Sequence, residues 1–188
     1  CLTNGSGSVL GAGSLISRVY LPRELIPAAT VLALTVSLVI ELGVLMGIIL
    51  CFGFVALQMI PVILLLVVLQ TIFVLGLALW LSALNVRYRD VQHLMAVLLL
   101  IWFYLTPVLY STALIPEHKN LLGHSVPLRS IMLLNPMARF VMAYRNCFYD
   151  IRLPGLPTLL GCVVASVVSL SFGTWYFNRR SPRFAEEL

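Results

Sequence analysis

Charge is scarce in this chain of 188 residues: only 10% of the side chains are Asp, Glu, Lys or Arg. Several kinds of chemistry are missing with it. No GxxxxGK[ST] stretch occurs, so the chain carries no loop of the kind that cradles nucleotide phosphates. Neither HExxH nor GxSxG occurs. The 7 acidic residues are mostly isolated and form no metal-binding cluster of the sort a transferase acting on diphosphate lipids needs. The 4 cysteines make no CxxC pair, and Cys51 and Cys162 lie in apolar stretches, which suits structural thiols better than a disulfide framework. Residues 1–14 lack a basic start and a long apolar centre, so they do not read as a signal peptide. The chain opens on Cys1 rather than Met, and we expect an N-terminal truncation.

Apolar sequence is abundant instead. The hydrophobic fraction is 61%, gathered into four long stretches at 27–53, 60–84, 94–111 and 156–177. Each approaches or exceeds the roughly 20 residues that cross a bilayer as a helix. Water could not solvate so much apolar surface, and in lipid the backbone must satisfy its own hydrogen bonds, so the stretches are expected to be helical. The fold class is therefore all-α: a polytopic helical membrane protein with four spans in one domain covering 1–188. The net charge of +5 does not signal nucleic acid, because the basic residues sit in small groups between the spans.

Those groups orient the chain. With the segment before residue 27 in the cytoplasm, Arg18, Arg23, Arg87, Arg89, Arg179, Arg180 and Arg183 all lie inside, and the short link at 54–59, which has no Lys or Arg, lies outside. The remaining basic residues, Lys119, Arg129, Arg139, Arg145 and Arg152, fall in one long outer segment, where the positive-inside rule carries less weight.

Within the first span, Gly43 and Gly47 have the spacing of close helix packing, possible between subunits, although glycine is common in membrane helices. Glu41 must face protein or water, because charge at mid-membrane costs at least ~2.5 kcal/mol; a protonated, hydrogen-bonded carboxyl is the plainer reading and a transport role the bolder one. Gln70 and Thr71 in the second span suit interhelical hydrogen bonds. The WYFNRR run at 175–180 is an interfacial anchor.

Three polar or aromatic segments stand out. The first, SRVYLPRELIP at 17–27, is charged and bracketed by prolines; it reads either as an elbow that a soluble partner grips or as a positive-inside flank, and composition favours the flank. The second, NVRYRDV at 85–91, packs Arg87, Tyr88, Arg89 and Asp90 together. Asp90 suits the start of a helix, and the arginines suit phosphate groups, though a plain loop could look the same. The third begins with Trp102, Phe103, Tyr104, Pro107 and Tyr110. These rings form either an interfacial belt or a stacking surface for sugar rings. Beyond it, 112–155 holds four prolines and an apolar, arginine-bearing run, and is expected to form short helices at the outer interface. Asn135-Pro136 has the form of a helix start, and Arg139 and Arg145 could reach lipid phosphate.

Taken together, SRVYLPRELIP, NVRYRDV and FYLTPVLYS…LLNPMARFVMAYR resemble the permease subunit of type-2 ABC exporters, in the branch that exports polysaccharides and polyol phosphates such as O-antigen, teichoic acid and galactan. The resemblance runs from about residue 5 to 180. It implies six spans in the full protein, of which the four here are the third to sixth. It also implies a homodimeric pore in the bacterial inner membrane, two separate ATPase subunits that hold the ATP and magnesium, and a polyprenyl-diphosphate-linked glycan as substrate. By the same resemblance, residues 15–26 are a coupling elbow, with Arg18, Tyr20, Pro22, Arg23 and Glu24 facing the ATPase. Arg87, Tyr88, Arg89 and Asp90 form the cytoplasmic link. Trp102, Phe103, Tyr104 and Tyr110 line the translocation path. Residues 112–155 form paired outer gate helices, with Asn135, Pro136, Arg139 and Arg145 at the gate. No catalytic or metal site and no cofactor of its own are expected in this chain. The alternatives are a membrane enzyme acting on lipid-linked sugars, disfavoured by the missing acid cluster, and a drug or small-lipid exporter of the same superfamily.

Overall fold

The computed structural model describes residues 24–52, 57–87, 91–108, 119–121, 124–126 and 134–180. Among the described residues five α-helices carry the fold: α1 (Leu25–Cys51), α2 (Ile60–Arg87), α3 (Val91–Leu105), α4 (Pro136–Phe148) and α5 (Leu156–Arg180). A 3-10 turn at Leu57–Met59 leads into α2. Two three-residue strands, β1 (Lys119–Leu121) and β2 (His124–Val126), form an antiparallel hairpin in which Lys119 pairs with Val126 and Leu121 with His124.

Three of the helices, α1, α2 and α5, are long and apolar enough to cross a membrane. They arise from the first, second and fourth apolar stretches of the sequence. The stretch at 94–111 behaves differently. Its helix ends at Leu105, and a turn at Thr106–Val108 follows. Pro107 is the physical reason, since it offers no N–H and disfavours helical backbone at the residue before it. With 15 residues, α3 is about 22 Å long, short of the ~30 Å hydrocarbon thickness. Within the outer segment the described residues hold the hairpin and the short helix α4.

Among the described long helices α2 is the most deeply buried. Half of its most apolar window is buried, whereas none of the corresponding window of α1 is. Leu69, Phe73, Val74, Ala78 and Leu81 on α2 pack with Val31, Phe140 and Cys162 from α1, α4 and α5. Along α1, Leu32, Val36, Ile40 and Val44 are exposed, the distribution expected where lipid is the solvent.

The α2–α5 contact is a backbone contact. A Cβ on Gly76 would collide with the main chain of Ser169, and a Cβ on Gly173 with the carbonyl of Gly76. Beside these glycines, the Ser166 hydroxyl donates to Leu69 O at 2.7 Å and the Ser169 hydroxyl to Phe73 O at 2.8 Å. Small residues thus allow close approach, and hydroxyls bond across the seam. Gly43 and Gly47, by contrast, have open space where a Cβ would project, so close packing within the protomer falls at Gly76 and Gly173. Thr71 meets Thr35 of α1 at 3.2 Å between hydroxyl oxygens, as an interhelical partner should. Gln70 Oε1 is buried without a hydrogen-bond partner. Glu41 is exposed at the edge of a groove that Ser37, Gln70 and Thr71 also line. At the end of α5, Arg179 lies 5.4 Å from the Trp175 ring and Arg180 5.8 Å from the Tyr176 ring, which suits an interfacial anchor.

Candidate gate and translocation site

The end of α3 and the start of α4 meet in a closed hydrogen-bond circuit. Sequence explains the start of α4: Asn135 is its N-cap, in extended conformation, and Pro136 occupies the first turn. The Asn135 Oδ1 accepts from the Met137 amide at 3.1 Å, satisfying one of the orphan donors of the helix. The same oxygen accepts from Trp102 Nε1 at 2.9 Å. The Asn135 amide nitrogen donates to the Thr106 hydroxyl at 3.1 Å, and that hydroxyl donates to Trp102 O at 2.8 Å. Each polar atom named here therefore has a partner, in a corner that is half-buried or buried.

Ten residues further along α4, Arg145 donates to Val108 O at 3.4 Å, so this helix holds the turn after α3 at a second point. Arg139 lies across α5. It donates to Pro157 O at 3.3 Å, and its guanidinium occupies the space that a Cβ on Gly161 would need. The core face of α4 comprises Ala138, Phe140, Ala143 and Cys147. Phe140 packs on Phe73 of α2 with ring centroids 5.7 Å apart. The hydroxyl of Tyr144 is buried without a hydrogen-bond partner, and burial, then the neighbouring Cys162 and Cys147, pushes this phenol well above its ordinary value.

The consecutive aromatics on α3 separate in space, as the helical turn requires. Trp102 turns toward the core and Asn135, while Phe103 and Tyr104 are exposed and meet edge to face at 5.7 Å. Trp102 is therefore placed to hold α4 against α3, and the exposed aromatic surface is that of the other two rings. Tyr110 lies outside the described residues, as do Arg18, Tyr20, Pro22, Arg23, Tyr88, Arg89 and Asp90. Glu24 precedes α1 at its N-cap position, exposed and without a side-chain capping bond. Arg87 is the last residue of α2. The structure thus brings Trp102, Asn135 and Pro136 together, with Arg145 at the far end of the same α3–α4 contact, and it lays the Arg139 side chain of α4 against α5. Thr106 and Gly161 completed these contacts without being singled out by the sequence, since a threonine before a proline and a glycine in a membrane helix carry no long-range signal.

Chemically, the corner is a neutral relay with one tryptophan, one amide and one hydroxyl. It fixes geometry and supplies neither a nucleophile nor a base. Among the described residues no group of three or more His, Cys, Asp or Glu is placed to hold a metal ion.

No family model matches the chain. It is similar along almost its whole length to curated relatives. The O-antigen export system permease protein RfbA of Myxococcus xanthus is 30% identical over 185 residues, covering 98% of this chain and 68% of the relative. A protein of the same name from Klebsiella pneumoniae is 27% identical over 191 residues, covering 99% of this chain and 68% of the relative. A further one from Klebsiella pneumoniae is 25% identical over 190 residues.

Proposed function

This chain belongs to the family of O-antigen export permeases, and from that premise we propose that it is the membrane subunit of an ATP-driven exporter that moves a polyprenyl-diphosphate-linked polysaccharide across the bacterial inner membrane. The observation that carries the reading is the similarity to a named export permease over 98% of the chain. Three long apolar helices in one protomer are in keeping with it. ATP and magnesium belong to a separate ATPase subunit, and two copies of the permease enclose the path. The ATPase docks on the elbow at 15–26, through Arg18, Tyr20, Pro22, Arg23 and Glu24, with Arg87, Tyr88, Arg89 and Asp90 on the same face.

Two exposed rings, Phe103 and Tyr104, suit a path for sugar, because flat apolar faces with polar edges accept many ring orientations without holding one tightly. The neighbouring Trp102–Asn135 bond ties those rings to α4, so a movement of the gate helix is felt at the aromatic surface.

Complementation tests the reading. A strain lacking its own O-antigen permease, given the full-length gene with its ATPase, recovers surface polysaccharide; polymer that stays inside under normal expression refutes the assignment. Arg23→Glu reverses a charge on the elbow. It is expected to reduce co-purification of the ATPase or to uncouple hydrolysis from export while insertion is preserved. Wild-type association together with wild-type export would remove the elbow from the coupling role. Alanine at Phe103 or Tyr104 is expected to reduce export or change exported chain lengths at normal abundance, and unchanged export in both would leave the rings as a lipid-facing belt.

A further inference from the structure

We propose that a groove between the start of α4 and the outer face of α5 holds one phospholipid of the surrounding bilayer, with its phosphodiester on Arg139 and an acyl chain along α5. The groove has a volume of about 430 Å³. Its walls divide cleanly. Leu160, Val164 and Val168 form an exposed stripe at i, i+4 and i+8 on one side of α5, about 12 Å long. Arg139 is the one charged residue among the described lining residues, and it sits at the end of the stripe nearest the start of α5. A cation at one end and a continuous apolar track leading away from it match an anionic head with an attached hydrocarbon tail.

Gly161 makes this arrangement possible. Any larger residue there would occupy the volume filled by the Arg139 guanidinium, so the glycine lets the arginine lie flat on the helix at the head of the groove instead of swinging away. A guanidinium carries five N–H donors, so one arginine can serve Pro157 O and other acceptors at once. The first turns of both helices, at Pro136 and Pro157, border the same end of the groove, and their positive dipole ends add to the attraction for an anion. A single arginine balances the single charge of a phosphodiester. A diphosphate carries more charge than this lining neutralises, so the observations favour a bilayer lipid over the exported carrier. The inference needs only that α5 crosses the membrane; it does not depend on which side its first residue faces.

Native mass spectrometry of the purified full-length permease, delipidated and then titrated with phosphatidylglycerol, measures the site. Wild type is expected to keep one tightly held lipid per protomer. Arg139→Gln is expected to weaken it by about tenfold or more, the loss of a hydrogen-bonded charge pair. Arg139→Lys should retain part of the affinity, Gly161→Leu should weaken binding like Arg139→Gln, and Arg152→Gln, at an exposed arginine outside the groove, should leave it unchanged. Thermal unfolding of each variant separates lost binding from lost fold, and Leu160→Ser, which opens the track without touching the arginine, gives a second measure in a folded protein. Equal binding by Arg139→Gln and Arg152→Gln overturns the proposal. So does equal retention of diacylglycerol, which has the tails without the phosphate, or displacement of phosphatidylglycerol by stoichiometric polyprenyl diphosphate. Because binding is read without transport, a permease that fails to export O-antigen but holds the lipid refutes the proposed function and leaves this site standing.

Discussion

Asn135→Ala removes one side chain and opens three hydrogen bonds. The cap of α4 disappears with the bond from the Met137 amide, a loss of about 1 kcal/mol for a typical N-cap. Trp102 Nε1 loses its acceptor in a half-buried corner; a buried donor left unsatisfied costs about 1–3 kcal/mol, and partial exposure puts this one at the low end. The Thr106 hydroxyl keeps its bond to Trp102 O and loses only an incoming donor, which adds little. The expected destabilisation is thus about 2–3 kcal/mol. Asn135→Asp separates the components, because it keeps an acceptor for both the helix cap and the indole and gives up only the donor to Thr106. It should cost about 1 kcal/mol or less. Trp102→Phe removes the indole donor, and in combination with Asn135→Ala it should recover a coupling of about 0.6 kcal/mol, the average for interhelical hydrogen bonds inside membranes, and no more than about 1.7 kcal/mol. Equilibrium unfolding in mixed micelles, followed by tryptophan fluorescence in a background where the reporter is Trp80 or Trp175, gives all four corners of the cycle. Additive effects of the two substitutions, or equal losses in Asn135→Ala and Asn135→Asp, would refute the account of this corner as a shared acceptor.

Three other outcomes are expected. Gly173→Ala places a methyl against the Gly76 carbonyl and should destabilise by about 1–3 kcal/mol, whereas Gly47→Ala, which meets open space, should change the unfolding midpoint of the monomeric protein little; similar losses at both positions would contradict the packing described. Tyr144→Phe deletes a buried hydroxyl that has no partner and should leave stability unchanged or raised. Because the folded phenol is held above the ordinary 10.0, stability is fully present below about pH 10 and falls as pH rises past that value, and this alkaline loss should shrink in Tyr144→Phe; an identical alkaline slope in both proteins would rule the phenol out. Single cysteines at Ala56 and Asn120, in a background without native thiols, should react with an impermeant reagent on intact cells while one at Val86 should not, and the reverse labelling pattern would invert the proposed orientation.

The long helices were legible because lipid imposes one rule on every residue of a span. Apolar stretches at 27–53, 60–84 and 156–177 became α1, α2 and α5 with ends shifted by no more than three residues. The stretch at 94–111 was less legible, because hydropathy does not register a missing amide: Leu105, Val108 and Leu109 look alike to lipid, but Pro107 between them stops the hydrogen-bond ladder. Asn135-Pro136 could be read as a helix start from local chemistry alone. Its bond to Trp102 could not, because 33 residues separate the partners and nothing in either local sequence names the other. The same limit applies to the close helix approach. A glycine pair within one helix advertises itself by spacing, as Gly43 and Gly47 do, whereas Gly76 and Gly173 form their pair only across two helices.

That crossing has a mechanical consequence. A helix pair separated by large side chains can slide by exchanging rotamers, each step small and cheap. Where main chain meets main chain at Gly76, Ser169 and Gly173, there are no rotamers to exchange, and two serine bonds span the same seam. The α2–α5 pair is therefore a fixed post, and among the described helices it is α1, α3 and α4 that are left to move around it.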